Sequence, residues 1–495
     1  MDATIISNIF GQFTPMAPMI VMILGALLMP ALYFTTKKRA VVTGSMLLFI
    51  VVSLLVNVVL LLGNYKGAYL GLFEYDAFSG LMILLFQIVV LLVAMVSGAS
   101  KEITVMHYGA YAALLLSATT GMMFVSTSCD LIGIFVGVEL TSITSYVMVA
   151  MKRNDPRAAE AAVKYVIIGG LSTALTVFGL SWLYGITGTT NLEAIAVALS
   201  TQGFTWAFAI AMVMTIAGYG FKIAAVPFHM WAPDVYEGAA TPVTAFLATG
   251  SKKMGLVVFF KIFLIMFVAG TSVASFATQE MQFVFAIIAA ITMTVGNVVA
   301  IAQTNIKRML AYSSIAQAGY ILIVMAVMSQ YALTGGIFHM FTHVFMKGGA
   351  FLIVGALICV GVGEKISDYK GLAKRAPFLA FAMLLFLFSL AGIPPLAGFT
   401  SKFILFSAAV YTPAGATSMW VWLAFIAVLN SAISLYYYTK VVKAMYIDAG
   451  ETTEKLKVPK AFTLAIAICV VFVIVLGVYP QLILDFCAQA ASALF

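Results

Sequence analysis

Charge is what this sequence has least of, and arginine is far rarer in it than lysine. Asp, Glu, Lys and Arg make up 9% of the 495 residues against 63% hydrophobic, with mean hydropathy +1.10, which excludes a soluble domain of ordinary composition. Only five arginines occur, Arg39, Arg153, Arg157, Arg308 and Arg375, each in a short polar gap between long apolar runs. Cysteine is as scarce: Cys129, Cys359, Cys469 and Cys487 lie far apart, with no CxxC or Cys/His spacing able to hold a metal or an iron–sulfur cluster. They read as small apolar residues. There is no Gly-rich phosphate loop and no GxGxxG after a strand pattern, so any redox chemistry belongs to partners. No basic segment followed by a small-residue cleavage site opens the chain, and the first apolar run is read as a retained helix.

What is present is one apolar run after another. A spanning helix needs about 20 apolar residues, and on that rule the sequence predicts an all-α polytopic membrane protein. Fourteen helices are expected near 14–34, 40–63, 75–97, 105–125, 130–151, 159–184, 205–250 (broken), 252–270, 281–302, 306–328, 331–361, 376–411 (broken), 419–447 and 460–480. The gaps after helices 1, 3, 5, 9, 11 and 13 hold sixteen Lys and Arg residues, while the intervening gaps hold one, Lys66. That asymmetry predicts odd-to-even loops in the cytoplasm and both termini outside. The net charge of +8 is then topological and gives no ground for a nucleic-acid partner.

Two runs are too long for one span and are interrupted by proline, at Pro227, Pro233 and Pro242 in the first and at Pro394 and Pro395 in the second. Proline removes a backbone donor and clashes with the preceding turn, so each helix must stop and restart. Non-helical backbone at membrane depth is tolerated where it is buried in protein or lines a wet cavity. Each break has a lysine nearby, Lys222 and Lys402. A break with a charge beside it is the sequence mark of a transport site. Five-helix blocks over 105–270 and 281–447 each place the broken helix fourth, which predicts two repeats of inverted topology, preceded by a three-helix segment over 1–104 and followed by a C-terminal helix over 448–495.

The ionisable residues inside the runs are almost all lysine. A guanidinium keeps its proton at any physiological pH, whereas a buried ammonium or carboxylate has a proton affinity that its surroundings reset. Glu139 lies nine residues after Asp130, about 14 Å along a helix at 1.5 Å per residue, near mid-membrane. A carboxylate there needs a cation or water, and Lys164 is the nearest candidate by chain order; a static ion pair is the competing reading. His339, His343 and Lys347 fall at i, i+4 and i+8 and share a helix face. Without a nearby carboxylate or cysteine they make a poor zinc site, and a line of exchangeable groups fits better. His229 lies within the first break, where it gates or caps backbone. Hydropathy leaves Lys252 and Lys253 open to a cytoplasmic turn; Lys261 sits in mid-helix, where it is expected to face the same channel as a secondary relay candidate with His229, His339, His343, Lys347 and Gln317.

The stretches DLIGIFVGVELTSITSYVMVA, FKIAAVPFHMWAPDVYEGAATPVTAF, QTNIKRMLAYSSIAQAGY and FSLAGIPPLAGFTSKF resemble the antiporter-like membrane subunits of respiratory complex I over about 105–447. The DVYEGA wording after PFHMW is most similar to their subunit N type. The resemblance implies a proton relay in which Glu139 pairs with Lys164, Lys222 and Lys402 are the broken-helix lysines, and Lys252 is an intramembrane connecting lysine. One departure is Gln317, where many members have His; a glutamine holds a water wire but does not itself carry the proton. HMFTHVFMK is closer to the sibling L and M types. The resemblance also implies a bacterial or archaeal cell membrane, partner subunits of the L, M, A, J and K types, lipids, and a peripheral redox arm. That arm would hold flavin, iron–sulfur clusters and quinone or phenazine, with reduced NAD or reduced coenzyme F420 as donor and no cofactor on this chain. A stand-alone Mrp-type sodium/proton antiporter and a helical spacer are the rival expectations.

Overall fold

The computed structural model describes residues 13–103, 107–152, 155–202, 205–268, 274–411, 418–450, 452 and 454–495. Arg153 and the expected helix end at 270 lie outside them. Helices α1 (Ala17–Thr36) and α2 (Arg39–Leu62) lead to a two-stranded antiparallel hairpin, β1 (Gly67–Tyr69) and β2 (Phe73–Tyr75), with Gly67 opposite Tyr75. Then come α3 (Ala77–Ser97), α4 (Tyr108–Thr127), α5 (Leu131–Ala150), α6 (Pro156–Thr187), the short α7 (Leu192–Gln202), α8 (Trp206–Ile223) and α9 (Trp231–Gly238). Helix α10 runs over 241–268 with π turns at Leu247–Ser251 and Phe260–Leu264. It is followed by α11 (Ala274–Ile301), α12 (Ile306–Val327) and α13 (Gln330–Cys359). A helical turn at Leu372–Arg375 precedes α14 (Pro377–Ala391), α15 (Ala397–Val410), α16 (Val421–Tyr446), α17 (Lys460–Val478) and α18 (Gln481–Ser492).

Among the described residues, twelve helices are long and apolar enough to cross a membrane. Adding α10, interrupted by its π turns, and the α14–α15 pair, split by its break, gives the fourteen expected spans. The order of elements recurs: three long helices, a broken helix, and one more, first in α4 to α10 and again in α11 to α16. Composition explains which faces are buried. α13 is buried along nearly its whole length, whereas α2 and α6 expose Leu48, Leu55, Val59, Ile167 and Leu171, as lipid-facing helices do.

The boundary between the seventh and eighth spans differs from expectation. The first span of the pair breaks at 224–230 and ends at Gly238, and the next begins at Thr241, not near 252. Pro242 occupies the first turn of α10, where its missing N–H is tolerated, so it starts a helix instead of kinking one. Lys252 therefore lies well inside a span.

Candidate functional site

The two breaks are closed by the same device. At the end of α8, Ala224 adopts the left-handed conformation (φ 55°) and the Ala225 N–H donates to the Gly220 carbonyl at 2.9 Å. At the end of α14, Gly392 does so (φ 92°) and the Ile393 N–H donates to the Phe388 carbonyl at 3.0 Å. Both are Schellman endings, the standard way to satisfy the last carbonyls of a helix. Pro227 follows the first ending and Pro394 and Pro395 the second, so neither helix can simply continue.

In the first half, Lys222 is the penultimate residue of α8, 3% exposed, and its Nζ donates to Ser142 Oγ at 2.9 Å. Glu139, also on α5, accepts from Thr173 Oγ1 at 2.8 Å. Glu139, Ser142, Tyr146, Thr173 and Lys222 line one narrow, partly open space, with room for a water's centre over about 10 Å³, enough for a single water. Carboxylate and ammonium thus border the same small space.

The expected Glu139–Lys164 pair is not formed. Lys164 Nζ bonds Asp234 Oδ2 and Glu160 Oε1, each at 2.7 Å, and Glu139 has no ion-pair partner within reach among the described residues. The physical reason is position. Lys164 lies in the early part of α6, where the α9 half-helix brings Asp234 to it, whereas Thr173, which bonds Glu139, lies nine residues further along the same helix.

Between the halves, α10 carries Lys252 and Lys253, each 1% exposed. Among the described residues no group accepts a hydrogen bond from Lys252 Nζ; it sits 5.5 Å from the centre of the Tyr236 ring. On α13, His339, His343 and Lys347 are all fully buried, and the two rings are 6.3 Å apart. Lys347 Nζ donates to Ser313 Oγ at 2.6 Å and to the Leu310 carbonyl at 3.2 Å, while both ring nitrogens of His343 lack a partner among the described residues. His229, in the first break, is buried with Nδ1 unpartnered.

The second half is more densely bonded. His339 Nε2 meets Gln317 Oε1 and its Nδ1 meets Ser401 Oγ, both at 2.9 Å. Gln317 Nε2 donates to the Leu390 carbonyl at 3.2 Å, and Lys402 Nζ donates to that same carbonyl at 2.7 Å. Lys402 also reaches the Ala391 carbonyl (3.3 Å) and Ser431 Oγ (2.9 Å), and lies 4.9 Å over the Tyr320 ring. Gln317 therefore ties His339 to the carbonyl that holds Lys402. Lys402 and Ser431 border a cavity of about 520 Å³ between α15 and α16. At Gly392, a Cβ would lie 3.3 Å from Lys402 Cδ and 3.5 Å from Ser431 Oγ. Gly392→Ala is expected to cost about 1–3 kcal/mol in backbone strain and to displace the lysine. Thermal stability and proton translocation of the variant should both fall; if both stay native, the break does not position Lys402.

Sequence reasoning missed a network at the end of the bundle where α9 meets α12. Arg308 Nη1 bonds Asp234 Oδ1 at 2.6 Å and Glu237 Oε2 at 2.9 Å. Lys307, fully buried, donates to the Glu237 and Ala239 carbonyls at 2.7 and 2.8 Å and pairs with Glu364 at 3.4 Å. Asn305 Nδ2 bridges Glu237 and Glu364. Further out, burial works against the Lys152 ammonium, yet Asp155 and Glu102 hold its proton affinity above the ordinary value. The acidic spacing in DVYEGA was the available signal: Asp234 and Glu237 are three apart on one helix face.

Lys222 beside the half-buried Glu139, a lysine and histidine row through the middle, and Lys402 at a second break thus place buried polar groups in both halves. Over residues 128–434 the chain matches the family described as NADH:quinone oxidoreductase/Mrp antiporter, transmembrane. It is 43% identical over 429 residues to F420H2 dehydrogenase subunit N of Methanosarcina mazei, covering 85% of this chain and 84% of that one. It is 39% identical over 460 residues to NADH-quinone oxidoreductase subunit N of Bacillus anthracis, covering 91% and 89%. A chain of respiratory complex I from Thermus thermophilus superposes with a TM-score of 0.79 at 28% identity, covering 94% and 98%. By this match and these identities, the chain belongs to the NADH:quinone oxidoreductase/Mrp antiporter family of membrane proteins.

Proposed function

We propose that this chain is the N-type proton-translocating membrane subunit of a complex I-type respiratory dehydrogenase. The observation that carries the proposal is the set of buried groups Lys222, Lys252, His343, Lys347, His339, Gln317 and Lys402, with the half-buried Glu139 beside Lys222. Its ionisable members are lysine, histidine and glutamate, and both ends are set at helix breaks. Electron transfer elsewhere in the assembly changes the electrostatic environment of Glu139. Because Glu139 and Lys222 border the same small space, loss or gain of charge on Glu139 alters how firmly Lys222 holds its proton. The proton then passes by way of Lys252 to Lys402 and leaves on the outer side of the membrane. Moving one charge across the membrane costs about 2.3 kcal/mol per 100 mV, which the redox partners must supply.

In this arrangement Lys164 is anchored to Asp234 and Glu160 and steadies the half-helix α9, whose Trp231 stacks on Tyr165 at 4.6 Å beneath Lys222. The redox groups, flavin, iron–sulfur clusters and quinone or phenazine, reside on partner subunits, among them L-, M-, A-, J- and K-type membrane subunits. Both termini face outward, and the two five-helix blocks are inverted repeats. The test is purification of the native assembly in mild detergent, with mass spectrometry of its companions and assays of reduced NAD and reduced coenzyme F420 as donors. A large complex oxidising one donor supports the proposal and names its chemistry. Companions limited to small membrane subunits, with neither donor oxidised, would point to a stand-alone sodium/proton antiporter instead.

A further inference from the structure

Helix α10 carries another buried lysine that the path above does not use. Lys261 is 5% exposed and lies nine residues beyond Lys252, about 13 Å further along the helix at 1.5 Å per residue. It sits inside the second π turn of α10, as Lys252 directly follows the first. Such turns concentrate at functional positions because they re-aim side chains and leave carbonyls free. Lys261 Nζ donates to the Ser126 carbonyl at 2.8 Å, near the end of α4 that abuts the β hairpin. Buried hydroxyls of Thr119, Thr120 and Ser126 lie on α4, which packs beside α10; each donates to its own helix, leaving its oxygen able to accept.

Beyond Ser126 the chain reaches water within a few residues. Cys129 Sγ donates to Glu74 Oε2 at 3.6 Å, and Glu74 is exposed on β2. Glu74, Asp76 and Cys129 are the acidic groups within electrostatic reach of Lys261. Asp76 is engaged, capping α3 through the Ser79 N–H at 2.7 Å, which leaves Glu74 as the acceptor open to solvent.

We propose that Lys261 is a proton-releasing residue, forming a branch that leaves the central path at Lys252 and discharges beneath the β hairpin at Glu74. The step is a proton transfer only. The Lys261 ammonium gives its proton to the Glu74 carboxylate or to water beside it and becomes a neutral amine, which is reloaded from the Lys252 ammonium through water and the α4 hydroxyls. Two outlets, one at Lys402 and one at Lys261, would serve one central lysine. The proposal rests on the translocation function above.

The experiment uses the purified whole assembly in proteoliposomes, measuring protons translocated per electron. Lys261→Arg keeps the charge and the contact to Ser126 but does not release a proton, so a lysine that merely caps the α4 carbonyl is rescued by arginine and a relay lysine is not. A loss of proton yield in Lys261→Arg with all subunits present is expected; a native yield overturns the branch. Should the arginine variant fail to assemble, Glu74→Gln on the exposed hairpin decides: a reduced yield supports the branch and an unchanged one overturns it. Lys222→Met is measured in parallel. Native yield in that variant would overturn the underlying function, whereas its loss alongside a native Lys261→Arg removes the branch alone.

Discussion

Lys222→Met in the intact assembly is expected to abolish proton translocation while every subunit remains in place. The methionine fills the volume of the lysine stem in the α5–α6–α8 seam, so packing survives. What disappears is the protonatable group that borders the same space as Glu139 and bonds Ser142. A proton forced through this depth without a site pays at least about 2.5–3.5 kcal/mol, roughly a hundredfold in rate. Lys222→Arg should fail as well, because a guanidinium retains its proton. Glu139→Gln should give an intermediate loss, since the lysine remains but its electrostatic trigger is gone. Proton uptake is measured in vesicles energised by whichever donor the assembly oxidises. Native uptake in a fully assembled Lys222→Met variant would show the chain to be a helical spacer.

What could be read from the sequence was whatever depends on neighbours along the chain. Both breaks were visible in Pro227, Pro394 and Pro395, and the His339, His343 and Lys347 face in their spacing of four, because proline chemistry and helical periodicity are local. The break lysines likewise announced themselves by proximity to proline. Partners chosen across long stretches of chain were not visible. Lys164 and Asp234 are 70 residues apart and Arg308 and Asp234 are 74, and which carboxylate a lysine takes depends on how α6, α9 and α12 converge. The order of residues suggested Glu139 for Lys164; the convergence of helices supplied Asp234.

Hydropathy failed at one place for a related reason. It sees Lys252 and Lys253 as a polar interruption, and a polar pair between two apolar runs has the signature of a turn. The turn instead falls at 239–240, where the small residues of EGAAT let α9 end and Pro242 start α10. The hydroxyl partners were also hidden. Ser142, Thr173, Ser313 and Ser401 look like any serine or threonine in a spanning helix bonding its own i−4 carbonyl, and only the fold sets them against Lys222, Glu139, Lys347 and His339.

The two relay lysines with the most contrasting surroundings should respond oppositely to the same substitution. Lys402 gives hydrogen bonds to the Leu390 and Ala391 carbonyls and to Ser431, so Lys402→Met removes one donor from each, leaving Leu390 to Gln317 and Ala391 to Ser431. Hydrogen bonds from charged groups are each worth about 1.5–3 kcal/mol, and even with repair by water the variant should unfold at lower temperature. Lys252 has no such partners. Its loss forfeits a contact with the Tyr236 face, about 0.5–2 kcal/mol, but relieves a buried donor lacking a protein acceptor, whose cost is about 1–3 kcal/mol. Lys252→Met is therefore expected to be as stable as the native chain or more so, and yet unable to pass protons from Lys222 to Lys402. Thermal unfolding of the two variants in the assembly, set beside their proton yields, checks both halves of the expectation. A Lys252→Met variant that melts early would show that this lysine holds the fold together, and one that still pumps would mean the halves communicate by another path. Stability gained at the expense of activity is the signature of a residue kept for function, and Lys252 is where the structure places that conflict most sharply.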